Sequence, residues 1–232
     1  GSAFKPFVYL AGLEMGLSPD ARFFDKPLKI GRWQPRNYGG KYRGSLTLAE
    51  ALAVSSNSIA VQVTEKAGVH NTISVAKRLG VSSPLRADLS IALGSSEVSL
   101  LDLTNAYVPF ANGGKGVWAH GITEIHDTLG NLLYKRNGSG TGQVVAEHHV
   151  RQLNRMLASV LTLGTGKNAQ INRPAAGKTG TSQNFRDAWF VGYTGNLIAG
   201  VWLGNDNGMP MKRVSGGGLP AKLWKLVMTE AQ

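Results

Sequence analysis

At 232 residues and 42% hydrophobic side chains, the chain is long enough to bury the core of one large domain or two small ones. Its 25 lysines and arginines against 14 acids give a formal charge of +11, but no recognition helix, zinc module or RNA-binding signature accompanies the charge, so nucleic acid is not an expected partner. Without cysteine there is neither a disulfide framework nor a redox motif, the five histidines never fall at metal-ligand spacing, and no apolar stretch approaches a membrane span; neither metal nor cofactor is expected.

In chain order, Ser2-Ala3-Phe4-Lys5 opens an apolar helix over about 3–15, with Pro6 tolerated because the first helical turn has N–H groups without internal partners. Three residues make slightly less than one helical turn, so the Ser2 hydroxyl and the Lys5 amine can share a face as a nucleophile and its base. By themselves the same residues fit a helix-capping serine beside a solvated lysine. Lys26, Lys29, Arg32, Arg36, Lys41 and Arg43 then alternate with Trp33, Tyr38 and Tyr42, a pattern that suits a groove wall or a surface loop pinned by its aromatics.

Helices are predicted at about 46–53 and 57–67, which puts Ser55-Ser56-Asn57 in the short turn between them, where Ser55 and Asn57 can both face a cleft or simply cap the second helix. Further helices are expected at about 71–79 and 99–112. A hairpin follows at about 121–134, its turn marked by Asp127-Thr128-Leu129-Gly130-Asn131, then a flexible connector at Gly138–Gly142 and a helix near 147–162. Strands near 175–182, 186–194 and 197–204 make an antiparallel meander, closed by an amphipathic helix over 219–230. The first strand carries Lys178-Thr179-Gly180-Thr181, which places a cation, two hydroxyls and a position without a side chain on one strand; in isolation Lys178 also reads as an edge-strand lysine.

Ser2-x-x-Lys5, Ser55-x-Asn57 and Lys178-Thr179-Gly180, in that order, match the motif set of penicillin-binding proteins and serine β-lactamases. The resemblance extends to Gly1–Leu13, Pro35-Arg36-Asn37-Tyr38-Gly39-Gly40-Lys41-Tyr42-Arg43-Gly44, Ala92-Leu93-Gly94-Ser95-Ser96-Glu97-Val98, Phe110-Ala111-Asn112-Gly113-Gly114, the run from Phe185 to Thr194, and Gly216-Gly217-Gly218-Leu219-Pro220-Ala221. Across nearly its whole length the chain resembles the transpeptidase domain of class A penicillin-binding proteins. The resemblance implies an α+β fold of the serine β-lactamase/DD-transpeptidase kind, an antiparallel sheet flanked by helices, with a helical lobe at about 17–165 and a sheet lobe at about 166–232 that takes in the 2–15 helix.

It also implies the chemistry. Ser2 would be acylated by the penultimate D-alanine of a peptidoglycan stem peptide, or by a β-lactam as its mimic; a neutral Lys5 would take the Ser2 proton, and Ser55 would pass a proton to the departing D-alanine. Asn57 would hydrogen-bond the substrate amide and hold Lys5. Lys178, Thr179 and Thr181 would bind the terminal carboxylate, Gly180 would let the substrate backbone lie against the strand, and the N–H groups of Ser2 and Thr181 would form the oxyanion hole. In the full-length protein a glycosyltransferase domain and a membrane anchor are implied, at the periplasmic, extracytoplasmic face of the membrane, where the basic charge suits anionic lipid head groups or the carboxylates of the wall polymer.

The family has two strands ahead of its Ser-x-x-Lys helix, pairing with the last strand of the meander. This sequence begins one residue before Ser2, so Leu197–Leu203 is expected to present an unpaired apolar edge unless another chain covers it. Three alternatives to the transpeptidase share the pocket: a serine β-lactamase, a DD-carboxypeptidase, and a non-enzymatic penicillin-sensing or peptidoglycan-binding module. Of these the β-lactamase needs a base for water; Glu97-Val98-Ser99-Leu100-Leu101 comes nearest to the Glu-x-x-Leu-Asn pattern but lacks the asparagine. Slow deacylation is therefore expected.

Overall fold

A single 3-10 turn, Ser2–Phe4, runs straight into helix α1 (Lys5–Glu14), which is buried on every side from Lys5 to Leu13. A helix apolar all round belongs at the centre of a fold. The computed structural model, which describes residues 1–138 and 140–231, places it there, against the helices Asn57–Ala67, Val69–Arg78 and Glu147–Thr162. Strand β1 (Arg22–Asp25) pairs antiparallel with β2 (Gly44–Thr47), so the basic 26–43 loop is tied at both ends. The expected helix over 46–53 starts two residues late, at α2 (Leu48–Ala53), because Leu46 and Thr47 are held in β2. Thr47 then closes a capping box: its side chain accepts from the Glu50 N–H at 3.2 Å while Glu50 accepts from the Thr47 N–H at 2.7 Å.

Helix α3 (Asn57–Ala67) is capped by Ser56, whose Oγ accepts from the Ile59 N–H at 3.1 Å, and α4 (Val69–Arg78) follows after Gly68. The single helix expected over 99–112 is two, α5 (Leu100–Asn105) and α6 (Val108–Ala111). Pro109 explains the break, since a proline inside a continuous helix would clash with the carbonyl four residues back, that of Asn105. Besides β1 and β2, two further short strands escaped the sequence reading, β3 (Lys115–Gly116) and its partner across the expected connector. Between them the hairpin of β4 (Glu124–His126) and β5 (Leu132–Lys135) turns where expected, with Asp127 Oδ1 accepting from the Leu129 and Asn131 N–H groups. The partner of β3 is β6 (Gly142–Gln143); Ser139, inside the connector, lies outside the described residues.

Helix α7 (Glu147–Thr162) leads to the meander of β7 (Ala176–Thr181), β8 (Asp187–Tyr193) and β9 (Ile198–Gly204), paired antiparallel in the order β7-β8-β9 with Thr179 opposite Phe190 and Phe190 opposite Val201. The 3-10 turn and α7 pack against β7, and α8 (Leu219–Glu230) packs against β8 and β9. Among the described residues no strand pairs with the outer edge of β9, the open edge expected from the sequence. Trp224 anchors α8: it is fully buried, lies 5.1 Å from the Phe190 ring, and donates to the Gly192 and Ala199 carbonyls at 3.1 Å each. Trp224→Ala empties that position and removes the donor that both carbonyls share, so a loss of about 3–5 kcal/mol in unfolding free energy is expected from urea titration.

Candidate active site

The fold brings Lys5, Ser55, Asn57 and Lys178 to one point. Lys5 leaves the first turn of α1 and, although fully buried, spends its donors on the Ser55 carbonyl at 2.7 Å, Asn57 Oδ1 at 2.6 Å and Ser55 Oγ at 3.2 Å. Ser55 reaches it from the turn between α2 and α3, where its backbone adopts φ +60°, a left-handed conformation uncommon for serine. On its other side the same Ser55 Oγ receives Lys178 Nζ at 2.9 Å, a contact between residues 123 apart in sequence. One hydroxyl therefore bridges two buried amines.

Lys178 is steadied on its own strand, donating to Thr179 O at 3.0 Å and Thr179 Oγ1 at 3.4 Å; Thr179 Oγ1 meets Thr165 Oγ1 at 2.6 Å. Thr181 Oγ1 accepts from the Gly216 N–H at 3.0 Å. Ser2, half-exposed, stands beside this strand: a Cβ built on Gly1 would lie 3.5–3.6 Å from the backbone of Thr181, which sets the Ser2 and Thr181 peptides next to each other. Gly180 has a different neighbour from the one its motif suggests. A Cβ there would come within 3.1 Å of the Ala3 nitrogen and of Trp189 Cβ, so its missing side chain makes room for the Ser2–Phe4 turn.

No hydrogen bond joins Ser2 Oγ to Lys5 Nζ; the lysine nitrogen is turned instead to Ser55 and Asn57. Contacts of this kind are often long until substrate binds.

A family model described as the penicillin binding protein transpeptidase domain matches residues 1–208. The chain belongs to that family. Among the relatives of this transpeptidase domain, penicillin-binding protein 1A of Rickettsia conorii is 34% identical over 93% of the chain, and penicillin-binding protein 1A of Neisseria meningitidis is 34% identical over 97%. The chain spans about a third of each, 31% and 30% of their lengths. Penicillin-binding protein 1A of Haemophilus influenzae superposes with a TM-score of 0.89 at 26% identity over the whole chain and 42% of that structure. The PonA1 protein of Mycobacterium tuberculosis, solved in complex with penicillin V, gives 0.92 at 25% identity over the whole chain and 68% of that structure.

In this transpeptidase domain the electrostatics follow from burying two amines together. Burial pushes the Lys5 amine well below the ordinary lysine range, the Lys178 cation pushes it further down, and the Asp25 carboxylate pulls it back up. Lys178 is lowered by burial to about 7. The two lowered amines thus share one hydroxyl, Lys5 disfavoured as a cation by burial and by the Lys178 charge beside it.

Two supports of the Ser2 turn were not singled out from the sequence. Gly94, at φ +66°, accepts from the Gly1 nitrogen at 2.5 Å, and a Cβ on it would collide with Gly1 O at 2.2 Å; buried Tyr107 donates its hydroxyl to the Ala3 carbonyl. Gly94 sits in the Ala92–Val98 segment that carries part of the resemblance, the one signal that could have flagged it. Gly94→Ala is expected to slow acylation about tenfold or more by displacing the turn, read as the rate of fluorescent-penicillin labelling.

Proposed function

We propose that the chain is a serine DD-transpeptidase domain that crosslinks peptidoglycan stem peptides through an acyl-enzyme on Ser2. The observation that carries this reading is Ser55 Oγ held between Lys5 at 3.2 Å and Lys178 at 2.9 Å, beside a half-exposed Ser2. Neutral Lys5 accepts the Ser2 proton as Ser2 Oγ bonds to the carbonyl carbon of the penultimate D-alanine. The Ser2 and Thr181 N–H groups bind the oxyanion. As the C–N bond breaks, Ser55 delivers a proton to the leaving D-alanine and is reprotonated from Lys5. An acceptor amine then attacks the ester, gives up a proton, and releases Ser2 with the new peptide bond formed.

Lys178, with Thr179 and Thr181, binds the terminal carboxylate; Asn57 orients the substrate amide while holding Lys5. β-Lactams acylate the same serine. The relatives support this reading by their names and by the penicillin V bound to the Mycobacterium protein. In the whole protein we place the domain at the periplasmic face of the membrane, together with a glycosyltransferase domain and a membrane anchor; nucleic acid has no part in it.

Slow hydrolysis separates this reading from a β-lactamase. Among the described residues no carboxylate hydrogen-bonds Ser2, Lys5 or Ser55, and Glu97 is exposed. Incubation with labelled penicillin should leave an adduct on Ser2 that persists after free drug is removed, and an added D-amino acid should be incorporated into a stem-peptide donor. Rapid drug turnover would make the chain a β-lactamase, release of donor acid without incorporation a carboxypeptidase, and acylation by penicillin with no action on the donor a sensor.

A further inference from the structure

Asp25, the last residue of β1, is a buried carboxylate that the catalytic motifs do not include, 2% exposed in a chain dominated by cations. It accepts the Ser56 hydroxyl at 2.8 Å, the Arg43 N–H at 3.0 Å, and the Asn37 amide at 2.8 and 3.0 Å on its two oxygens. Asn37, also buried, donates its second amide hydrogen to the Lys41 carbonyl at 3.0 Å. Its Oδ1 faces the other way and accepts from the N–H groups of Asn57 at 2.8 Å and Ser58 at 3.2 Å. These are free donors of the first turn of α3.

The order of donors and acceptors along this chain allows one arrangement. Ser56 Oγ already accepts from the Ile59 N–H, so its own proton must go to an acceptor; the Asn57 and Ser58 N–H groups require oxygen from Asn37, so the amide nitrogen must point at position 25. Only a side chain that accepts and does not donate satisfies every partner there. An asparagine at 25 would set two amide nitrogens, or an N–H and an amide nitrogen, against each other.

We propose that Asp25 and Asn37 are positioning residues for acyl transfer: the carboxylate orients the Asn37 amide, and the amide holds the Ser55-Ser56-Asn57 turn in its left-handed conformation against Lys5. The linkage runs from β1 through the basic loop to the hydroxyl that bridges the two lysines. It also brings a fixed negative charge toward the site. The groups facing Lys5 are Lys178 from β7 and Asp25 from β1, and Asp25 is felt also by Tyr9, whose buried hydroxyl one turn along α1 has no hydrogen-bond partner among the described residues. Because Asp25 favours the protonated form of Lys5, its removal should let Lys5 lose its proton at lower pH.

This inference rests on the acyl-transfer reading of Ser2 and Lys5, and its test separates the two. In the full chain, Asp25→Asn is expected to slow penicillin acylation about tenfold or more while moving the rising limb of the pH profile to lower pH. Exchanging the pair, Asp25→Asn with Asn37→Asp, restores the bond between the two side chains but still sets an amide nitrogen at position 25 against the Arg43 N–H or the Ser56 hydroxyl and loses the bond to Lys41, so it should recover only part of the rate. That variant carries the test if Asp25→Asn does not fold. The Lys5 titration, followed by its 13Cε shift, should move to lower pH in Asp25→Asn whether or not any variant is acylated. A wild type that forms no adduct defeats the acyl-transfer reading. A wild type that acylates, with Asp25→Asn matching it at every pH or losing rate only with folded fraction and with Lys5 titrating unchanged, defeats this one.

Discussion

Ser2→Ala should form no covalent adduct with a β-lactam, with acylation falling by at least about 10⁴-fold and the intact mass unchanged after incubation with drug. The size of the effect follows from what remains. Ser55, the other serine of the site, has its oxygen between two amines at 3.2 and 2.9 Å and sits on a different backbone segment, so it cannot take over the position facing Thr181. Removing one hydroxyl from a half-exposed turn breaks none of the hydrogen bonds present in the fold, so Ser2→Ala should unfold within about 0.5 kcal/mol of wild type. A variant that still gained the mass of the drug would put the acylated residue elsewhere.

Lys5→Met should cost nearly as much, about 10²–10⁴-fold in acylation, because it removes the base and also leaves the Ser55 carbonyl and Asn57 Oδ1 without their donor. In the proposed mechanism the productive form has Lys5 neutral and Lys178 charged. The acylation rate should therefore rise with pH as Lys5 loses its proton, and fall as Lys178 loses its charge near pH 7 in the free enzyme. Both limbs belong to the coupled pair. Lys5→Met should abolish the rising limb, whereas Lys178→Arg, which stays charged, should move the falling limb out of range.

The same lysines shape stability. Lys178 has a folded value of about 7 against an ordinary 10.5, so below pH 7 it is protonated in both states and folding must bury a cation. Between those values the unfolded chain binds more protons, and stability rises with pH. The melting temperature of wild type relative to Lys178→Met should accordingly climb from pH 7 to pH 10. A flat difference would mean that Lys178 is not the depressed amine.

The cleft-facing turn at Ser55, the three strands of the meander and the Asp127 hairpin were legible because each is written within about ten residues, as alternation, capping or turn chemistry. The helix over 99–112 was not, since its apolar periodicity runs on through Pro109 and masks the break that proline imposes on the backbone. Gly180 shows a subtler limit. Its type is obvious from the motif, but the reason for it is the Ala3 backbone, which no local pattern names.

By itself, then, the sequence determined the residue types of the three motifs, their order, and the elements that carry them. Only the tertiary structure decided that Ser55 lies between the two lysines, that Lys5 turns toward Ser55 and Asn57 and makes no bond to Ser2, and that Asp25 anchors the turn through Asn37. The physical reason is that local propensity reaches a few residues along the chain, whereas a hydrogen bond spanning 123 of them exists only once helices and sheet have packed around a common core.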